Sequence, residues 1–369
     1  MDNEELGAWL RLLETPGVGR VSARRLLTAF GSAQQVMAAS SSARGQVVGA
    51  AQAEALASPP ATLSALLAAT CDWLDTAADP PRAVIPLGDP RYPKLLLEAA
   101  DPPLLFYAQG RFELLQAESI AVVGSRNPTP QGIENAKAFA AHLAHAGLTV
   151  VSGLALGIDT AAHEGALEGP ASTVAVVATG LDRVYPSRNL KLAHRIAGTG
   201  LIISEYPIGT PPLPPHFPPR NRIIAGLTRG TLVVEAALRS GSLITARLAS
   251  EAGRDVFAIP GSIHSPQSRG CHALIKQGAK LVENALDILE ELRLPGAAAA
   301  ALAAAEPGLG PLSGDPLLTA LGFDPITLDA LAARTGQPVA ELNVRLLDLE
   351  LEGHVARLPG QRFQRVGRG

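Results

Sequence analysis

Residues 120–129 read Ile-Ala-Val-Val-Gly-Ser-Arg-Asn-Pro-Thr, a short apolar run that passes directly into a polar turn. Such runs, bounded by turn residues, are typical of buried β-strands. They recur along the chain and alternate with amphipathic stretches such as residues 133–145. The predicted strands are 120–123, 148–151, 173–177, 201–204, 231–234, 255–259 and 280–282. This alternation predicts an α/β fold built on a doubly wound parallel sheet.

The regions around this sheet divide the chain into four predicted parts. Residues 1–75 have the apolar spacing of short helices, and residues 80–294 contain the predicted strands. Residues 295–314 are rich in Ala, Pro and Gly, which predicts a linker. Residues 315–369 predict two helices followed by a β-hairpin, which together make a winged helix-turn-helix.

Composition excludes several classes of protein. A chain of 369 residues with 47% hydrophobic and 18% charged residues has enough apolar side chains for a large core, so it is not wholly disordered. Only 4% of residues are aromatic, which argues against an RRM-type stacking platform. Two cysteines, Cys71 and Cys271, cannot form a disulfide framework or a CxxC motif. The acidic N-terminus and the short apolar runs predict a cytoplasmic protein without a membrane segment, and we expect no metal or cofactor.

Positive charge is concentrated in one block of the sequence. Residues 182–280 hold thirteen Lys or Arg and five Asp or Glu, a net charge of +8, whereas the whole chain carries −3 and the remainder therefore −11. A basic block in an acidic chain indicates a localised anionic partner. The alternative is that these side chains are merely solvated on helix surfaces.

The N-terminal helices enclose a glycine-containing turn, Thr15-Pro16-Gly17-Val18-Gly19. Two glycines allow a tight turn and leave amide groups available for a phosphate oxygen, as in the helix-hairpin-helix motif that this segment resembles. A single copy supplies few phosphate contacts, so a helical adaptor that never touches DNA is an equal alternative.

The turn after the first predicted strand of the sheet is the first candidate binding loop. It is neither GxGxxG nor a P-loop, and the second strand is followed by Ser152-Gly153, with no acidic residue to bind a ribose. Arg126, the Ser125 hydroxyl and the amides of a helix start suit a phosphodiester instead. Alternatively, Gly124 only permits a tight turn and Arg126 is solvated. His163, farther along the second βα segment, is interpreted as structural.

A second candidate segment is residues 217–227, Phe-Pro-Pro-Arg-Asn-Arg-Ile-Ile-Ala-Gly-Leu. Ile223 and Ile224 mark the buried side of a helix, which predicts that Arg220 and Arg222 lie outside and reach phosphates. Phe217 is placed to stack on one base. The small residues of 239–246 predict another helix start in the same crevice.

Six segments together resemble the DNA processing protein A family, called DprA or Smf: VVGSR, SGLALGIDTAAH, FPPRNRIIAGL, EAALRSGSLITA, DVFAIPG and LIKQGAKLV. The resemblance implies a Rossmann-like DNA-binding core, a helical N-terminal domain and a winged C-terminal domain. The sequence departs from the pattern at Pro214, where many relatives have lysine, and at Cys271-His272. With the resemblance included, the predicted DNA-binding residues are Gly124, Ser125, Arg126, Thr129, Gly153, Phe217, Arg220, Asn221, Arg222, Ser240, Gly241, Ser242, Thr245, His272 and Lys276.

The same resemblance implies a role in natural transformation and homologous recombination. The protein would protect incoming single-stranded DNA and load the RecA recombinase onto it. Its expected partners are single-stranded DNA, RecA, single-strand-binding protein and a second copy of itself, in a homodimer formed through the Rossmann-like domain.

Two functional classes remain in competition. The first is a non-enzymatic scaffold for single-stranded DNA. The second is a nucleotide-cleaving enzyme of the lysine-decarboxylase-like superfamily, for which Glu235, at the end of a predicted strand, is the candidate catalytic carboxylate. Its spacing is one residue longer than GTxxE, and no partner acid, nucleophile or base accompanies it.

The winged part carries an unexpected charge for a DNA reader. Its predicted second helix, 338–352, has four carboxylates and one arginine, a net charge of −3. Phosphates would repel this helix, which predicts that the domain contacts protein and contributes little to duplex recognition. The wing, with Arg357, Arg362, Arg365 and Arg368, is placed to graze a phosphate backbone.

Overall fold

A computed structural model describes residues 1–76, 79–293 and 315–366. The predicted linker 295–314 and Arg368 of the wing lie outside the described residues. The chain forms two compact units, one of Met1–Gln116 with Ala175–Gly226 and the other of Ala117–Val174 with Leu227–Gly369. The first unit therefore joins the N-terminal helices to part of the predicted sheet domain. Within the described ranges, no helix is both long and apolar enough to cross a membrane.

The first unit begins with small helices and continues into strands. The helices are α1 (Asn3–Glu14), α2 (Arg20–Phe30), α3 (Ala33–Ala38), α4 (Ser41–Val48), α5 (Ala50–Ala55), α6 (Leu63–Asp75), α7 (Lys94–Leu97), α10 (Leu190–Thr199) and α11 (Phe217–Leu227). The strands are β1 (Arg82–Pro86), β2 (Leu105–Gly110), β6 (Leu201–Ser204) and the end of β5 (Thr173–Val177).

These strands are ordered β1-β2-β6-β5, and β2 is antiparallel to both β1 and β6. The N-terminal helices pack on the same strands. Leu10 and Leu26 are buried in one cluster with Trp73 and Tyr107, and the two aromatic rings meet edge to face with centroids 5.9 Å apart. Burial of these side chains fixes the helical part to β2.

The second unit contains the parallel strands and the winged part. Its strands are β3 (Ser119–Val123), β4 (Thr149–Ser152), β7 (Gly230–Val233), β8 (Asp255–Ala258), β9 (Lys280–Leu281), β10 (Ile326–Thr327), β11 (Val355–Leu358) and β12 (Arg362–Arg365). Its helices are α8 (Pro130–His145), α9 (Ile158–Ala166), α12 (Ser242–Glu251), α13 (Arg269–Lys276), α14 (Ala285–Leu292), α15 (Pro316–Leu321), α16 (Leu328–Thr335) and α17 (Val339–Leu351).

In the parallel part, the order is β4-β3-β7-β8-β9. The chain leaves β3 toward β4 on one side and returns on the other side as β7. The strand order therefore reverses between β3 and β7, and a crevice at the carboxyl ends of these two strands is the usual ligand site of such sheets. Apolar side chains of β3, α8 and α9, such as Val122, Leu143 and Ile158, bury one face of the sheet.

The Rossmann-like, helical and winged parts predicted from the sequence are confirmed. In the winged part, β10, β12 and β11 form an antiparallel sheet, and Thr327 caps α16 by accepting a hydrogen bond from the Ala330 amide at 3.3 Å. Strands β1 and β2 and helix α15 were not predicted. β2 runs antiparallel to its neighbours, so these two strands add an antiparallel part to the predicted doubly wound parallel sheet.

Candidate nucleic-acid interface

The loop that joins β3 to α8, residues 124–129, lies at the reversal of strand order. The Ser125 amide donates to the Glu235 carbonyl at 2.7 Å, and the Ser125 carbonyl accepts from the Ile158 amide at 3.1 Å. Gln267 adds a third tether, because its side-chain nitrogen donates to the Asn127 carbonyl at 3.0 Å. Arg126 is exposed in the middle of this loop. The backbone beneath a candidate phosphate-binding side chain is thus held from three directions.

The Glu235 carboxylate holds the end of the same loop through hydrogen bonds with Thr129. Its Oε1 accepts from the Thr129 hydroxyl at 2.6 Å and its Oε2 accepts from the Thr129 amide at 2.9 Å. The Thr129 hydroxyl in turn accepts from the Gly132 amide at 3.0 Å and caps α8. Burial raises the pKa of Glu235, and the hydrogen bonds from Thr129 oppose that rise. Both carboxylate oxygens are engaged in structure, which argues against the catalytic role considered for Glu235.

Two glycines let these segments approach one another. A Cβ on Gly124 would lie 2.6 Å from the Ile158 side chain and 2.9 Å from the Glu235 carbonyl oxygen. A Cβ on Gly157 would lie 2.4 Å from the Ser125 carbonyl oxygen, and Gly157 has a φ of 84°. Larger residues at either position would push the 124–129 loop away from its supports.

The loop after β4 is organised by two buried polar side chains. Asp159 Oδ2 accepts from the amides of Gly153 (3.1 Å) and Ala155 (3.3 Å), while His163 Nε2 accepts from the Leu154 amide at 3.3 Å. Consecutive amides of this loop are therefore already hydrogen-bonded within the protein. Any contact of Gly153 with DNA would rest on its small size and not on its amide.

His163 is completely buried, which confirms the structural interpretation of this residue. The Thr173 hydroxyl donates to the Val150 carbonyl at 2.6 Å, so its oxygen accepts from His163 Nδ1 at 2.7 Å. The opposite nitrogen accepts from Leu154, as described above. This arrangement requires a neutral imidazole with its proton on Nδ1.

The predicted helix start at 239–246 follows the carboxyl end of β7 and leads into α12. Ser240 and Ser242 share a hydrogen bond between their hydroxyls at 2.7 Å, and Ser242 and Thr245 are buried. Ser240 and Gly241 line a groove of about 850 Å³ between α12 and α13. The same groove is lined by Arg239, Arg247, Arg254 and Lys280.

His272 and Lys276 both belong to α13 but lie in different turns of the helix. His272 Nε2 is 3.0 Å from the Gly261 carbonyl oxygen, which ties the helix to the loop after β8. Lys276 is exposed in the last turn of α13. The structure therefore brings His272 to the loop side of the helix and leaves Lys276 at its far end.

In the first unit, the arginines of α11 are not where the sequence placed them. Arg220 is 4% exposed and donates to the Val176 carbonyl. Arg222 contacts Glu205 at 2.5 Å and Asp101 at 3.2 Å. The expectation that both arginines point outward is wrong, because carboxylates distant in sequence draw Arg222 inward and a carbonyl does the same for Arg220.

The start of α11 nevertheless keeps an aromatic surface. The rings of Phe217 and Tyr185 lie 5.7 Å apart, and Tyr185 is 48% exposed. The ring of His216 stacks on Tyr206 at 4.1 Å. Sequence reasoning selected Phe217 alone; Tyr185, thirty-two positions earlier, carried no motif that could have revealed it. Pro214 lies exposed in the 3₁₀ turn just before these residues.

Two arginines of α2, Arg20 and Arg24, form ion pairs within the protein, and the third, Arg25, is exposed. Arg24 contacts Asp101 at 2.8 Å, and Arg20 contacts Asp101 at 3.0 Å and Glu205 at 3.4 Å. These ion pairs link α2 to the same two carboxylates that hold Arg222. The adaptor alternative for this motif is therefore the one that the geometry favours.

The basic block predicted from the sequence is also partly neutralised. Ion pairs engage several of its basic side chains, among them Arg183, Arg222, Arg229, Arg247 and Lys280. Among the residues with described coordinates, no three His, Cys, Asp or Glu side chains form a metal-binding group. Cys271 is buried, and burial raises the pKa of its thiol to about 12.

The fold and this site define a class of protein: a Rossmann-like protein without a dinucleotide fingerprint, flanked by helix-hairpin-helix and winged-helix parts. The chain belongs to the DNA recombination-mediator protein A family, whose profile matches residues 83–293. A DprA winged helix domain matches residues 297–361, and a DprA-like N-terminal HHH domain matches residues 3–55.

One curated relative covers nearly the whole length of the chain, and another covers more than three quarters of it. Protein Smf of Synechocystis is 35% identical over 99% of this chain and 100% of its own length, and Protein Smf of Escherichia coli is 43% identical over 78% of each. The crystal structure of DNA processing protein A from Streptococcus pneumoniae has a TM-score of 0.68 at 39% identity and covers 79% of this chain and 98% of its own. DNA processing protein A from Helicobacter pylori, described for its single-stranded DNA binding mode, has a TM-score of 0.53 at 32% identity over 57% of this chain and 95% of its own.

Proposed function

We propose that this protein binds single-stranded DNA during DNA processing in transformation, without enzymatic activity of its own. The observation that carries the proposal is the tethered 124–129 loop, which presents Arg126 at the reversal of strand order. The single-stranded DNA binding attributed to the Helicobacter pylori relative supports the same class of ligand. An arginine on a preorganised backbone suits a phosphodiester of any sequence.

The predicted DNA-binding residues contribute unequally to this proposal. We assign direct phosphate contact to Arg126 and stacking to Phe217, which lies beside Tyr185. Arg220 and Arg222 are assigned to support of α11, because the buried Arg220 donates to a carbonyl and the partly buried Arg222 contacts carboxylates. Glu235 positions the loop through Thr129 and is not a catalyst in this proposal.

The test compares two exposed arginines of the same unit by fluorescence anisotropy with single-stranded and duplex oligonucleotides across a salt series. Arg126→Ala should weaken single-strand binding and reduce the slope of log K against log salt by about 0.7, the value for one lost phosphate contact. The matched control is Arg229→Ala, which removes a 40% exposed arginine just before β7, at the other end of the strand. Equal effects of the two substitutions, or a duplex preference, would overturn the assignment.

The proposal extends to loading of RecA, protection of the bound strand and a homodimer formed through the Rossmann-like domain. Dimerisation would double the phosphate contacts available to one strand. Light scattering at micromolar concentration tests the dimer. Assembly of RecA on DNA covered by single-strand-binding protein, with and without this protein, tests loading. The ranges 1–75, 80–294, 295–314 and 315–369 are retained as the proposed domain division.

A further inference from the structure

The helix α17 of the winged part has two apolar faces. Leu342, Leu346 and Leu349 are buried in the winged core, at 0%, 1% and 5% exposure. On the other side, Val344, Leu347 and Leu351 are 62%, 55% and 80% exposed. Because these three positions are spaced three and four residues apart, they form one stripe on a helix of 3.6 residues per turn.

Acidic side chains border this outer stripe. By helical spacing, Glu341 and Asp348 lie along one side of Val344, and both are exposed. The helix has one basic residue, Arg345, which contacts Asp315 of its own domain at 2.6 Å. The outer stripe is therefore apolar with a negatively charged border, and the one basic residue of the helix is already in an ion pair.

We propose that the outer face of α17 binds a basic amphipathic helix of a partner protein. Apolar anchors at such spacing are the pattern by which one helix recognises another. Lysine or arginine beside the partner's apolar residues would meet Glu341 and Asp348 and select that partner. This goes beyond single-stranded DNA binding, which the proposed function assigns to the Rossmann-like part.

Two other occupants fit the face less well. Nucleic acid would bring phosphates against carboxylates, which is repulsive. In an antiparallel pair of two copies of α17, each acidic border would face the same border of the other copy, so carboxylate would oppose carboxylate. Charge therefore favours a basic segment of a different protein.

The experiment uses the full chain and a fluorescein-labelled, 18-residue helical peptide of leucine and lysine with all leucines on one face. A second peptide has glutamate in place of lysine. We expect the basic peptide to bind at physiological salt and the acidic peptide not to bind. The double substitution Leu347→Ser with Leu351→Ser should weaken binding at least tenfold, since most of both exposed side chains would be buried in the complex. The substitutions Glu341→Gln with Asp348→Asn should weaken it and reduce its salt dependence.

The control is Leu190→Ser, which changes a leucine of 46% exposure on α10, outside the winged part. It should leave peptide binding unchanged. All variants alter exposed residues, so their unfolding curves should match that of the unsubstituted protein. Their affinity for single-stranded DNA should also match, and this measurement separates the inference from the proposed function. Unchanged peptide binding in both α17 variants overturns the inference. So does equal binding of the acidic peptide, a fall in molecular mass caused by the leucine substitutions, or a loss of duplex affinity in them.

Discussion

Replacing Gly157 by alanine should both destabilise the protein and weaken its hold on single-stranded DNA. Gly157 has φ 84° and ψ −124°, a conformation that costs a residue with a side chain about 1–3 kcal/mol. The new Cβ would also lie 2.4 Å from the Ser125 carbonyl oxygen and 2.7 Å from Pro128 Cδ, and relief of such crowding costs a further 1–3 kcal/mol or so. The expected loss is about 2–6 kcal/mol, a large share of a domain's usual 5–15 kcal/mol.

Gly147→Ala provides the matched control for this substitution. Gly147 also has a positive φ, 90°, but a Cβ there meets nothing within 4 Å, and the residue lies just before β4, at the other end of that strand. Urea unfolding followed by circular dichroism gives the two stabilities, and anisotropy gives the affinities. We expect Gly157→Ala to lose more stability than Gly147→Ala and to bind DNA several-fold more weakly, with Gly147→Ala unchanged in affinity. Equal losses in the two variants would refute the reasoning, because backbone strain alone would then explain both.

Three further outcomes follow from the buried ionisable groups. Arg222→Ala should lower the free energy of unfolding by about 1–3 kcal/mol, since it removes the least exposed of the three arginines that contact Asp101 and Glu205. Arg111→Ala, at an exposed pair, should cost less than about 1 kcal/mol in the same urea titration. Because burial raises the pKa of Glu235, the folded protein keeps the Glu235 carboxyl protonated to higher pH than the unfolded chain does. The protonated carboxyl therefore stabilises the folded state most below the unfolded pKa of about 4.3, and this stabilisation is lost as the pH rises through the folded pKa. Unfolding curves across pH should therefore be flatter for Glu235→Gln, and an identical pH dependence would contradict this. With a thiol pKa of about 12, Cys271 should resist a thiol reagent at pH 8 in a Cys71→Ser variant until denaturant is added, so rapid native labelling would count against its burial.

Local patterns in the sequence were sufficient for most of the fold. Short apolar runs gave β3, β4 and β5, and the predicted winged helices and hairpin agree with α16, α17, β11 and β12 to within a few residues. These elements can be predicted from periodicity and capping residues, because both signals depend on residues that are close in sequence. Strands β1 and β2 lie among prolines in a region that suggested only a transition, and antiparallel pairing with β6 depends on contacts far along the chain.

The candidate site shows the same division between local and distant information. The 124–129 loop could be found because its glycine, serine and arginine follow a strand directly. The orientation of Arg222 could not, because Asp101 and Glu205 lie 121 and 17 positions away and no pattern connects them. The sequence indicates Glu235 as an acid at a strand end, but its support of Thr129 depends on a contact between residues 106 positions apart.

The tethers of the 124–129 loop have a consequence for the thermodynamics of binding. A free loop loses about 1–2 kcal/mol of conformational entropy for each residue that a ligand orders. Here Ser125, Asn127 and Thr129 are hydrogen-bonded to neighbouring segments before any ligand arrives. That entropy is lost during folding of the protein and not during association. Association at this loop should therefore show a small entropic penalty in calorimetry, and an extra residue inserted between positions 124 and 129 should weaken binding even if every side chain is kept.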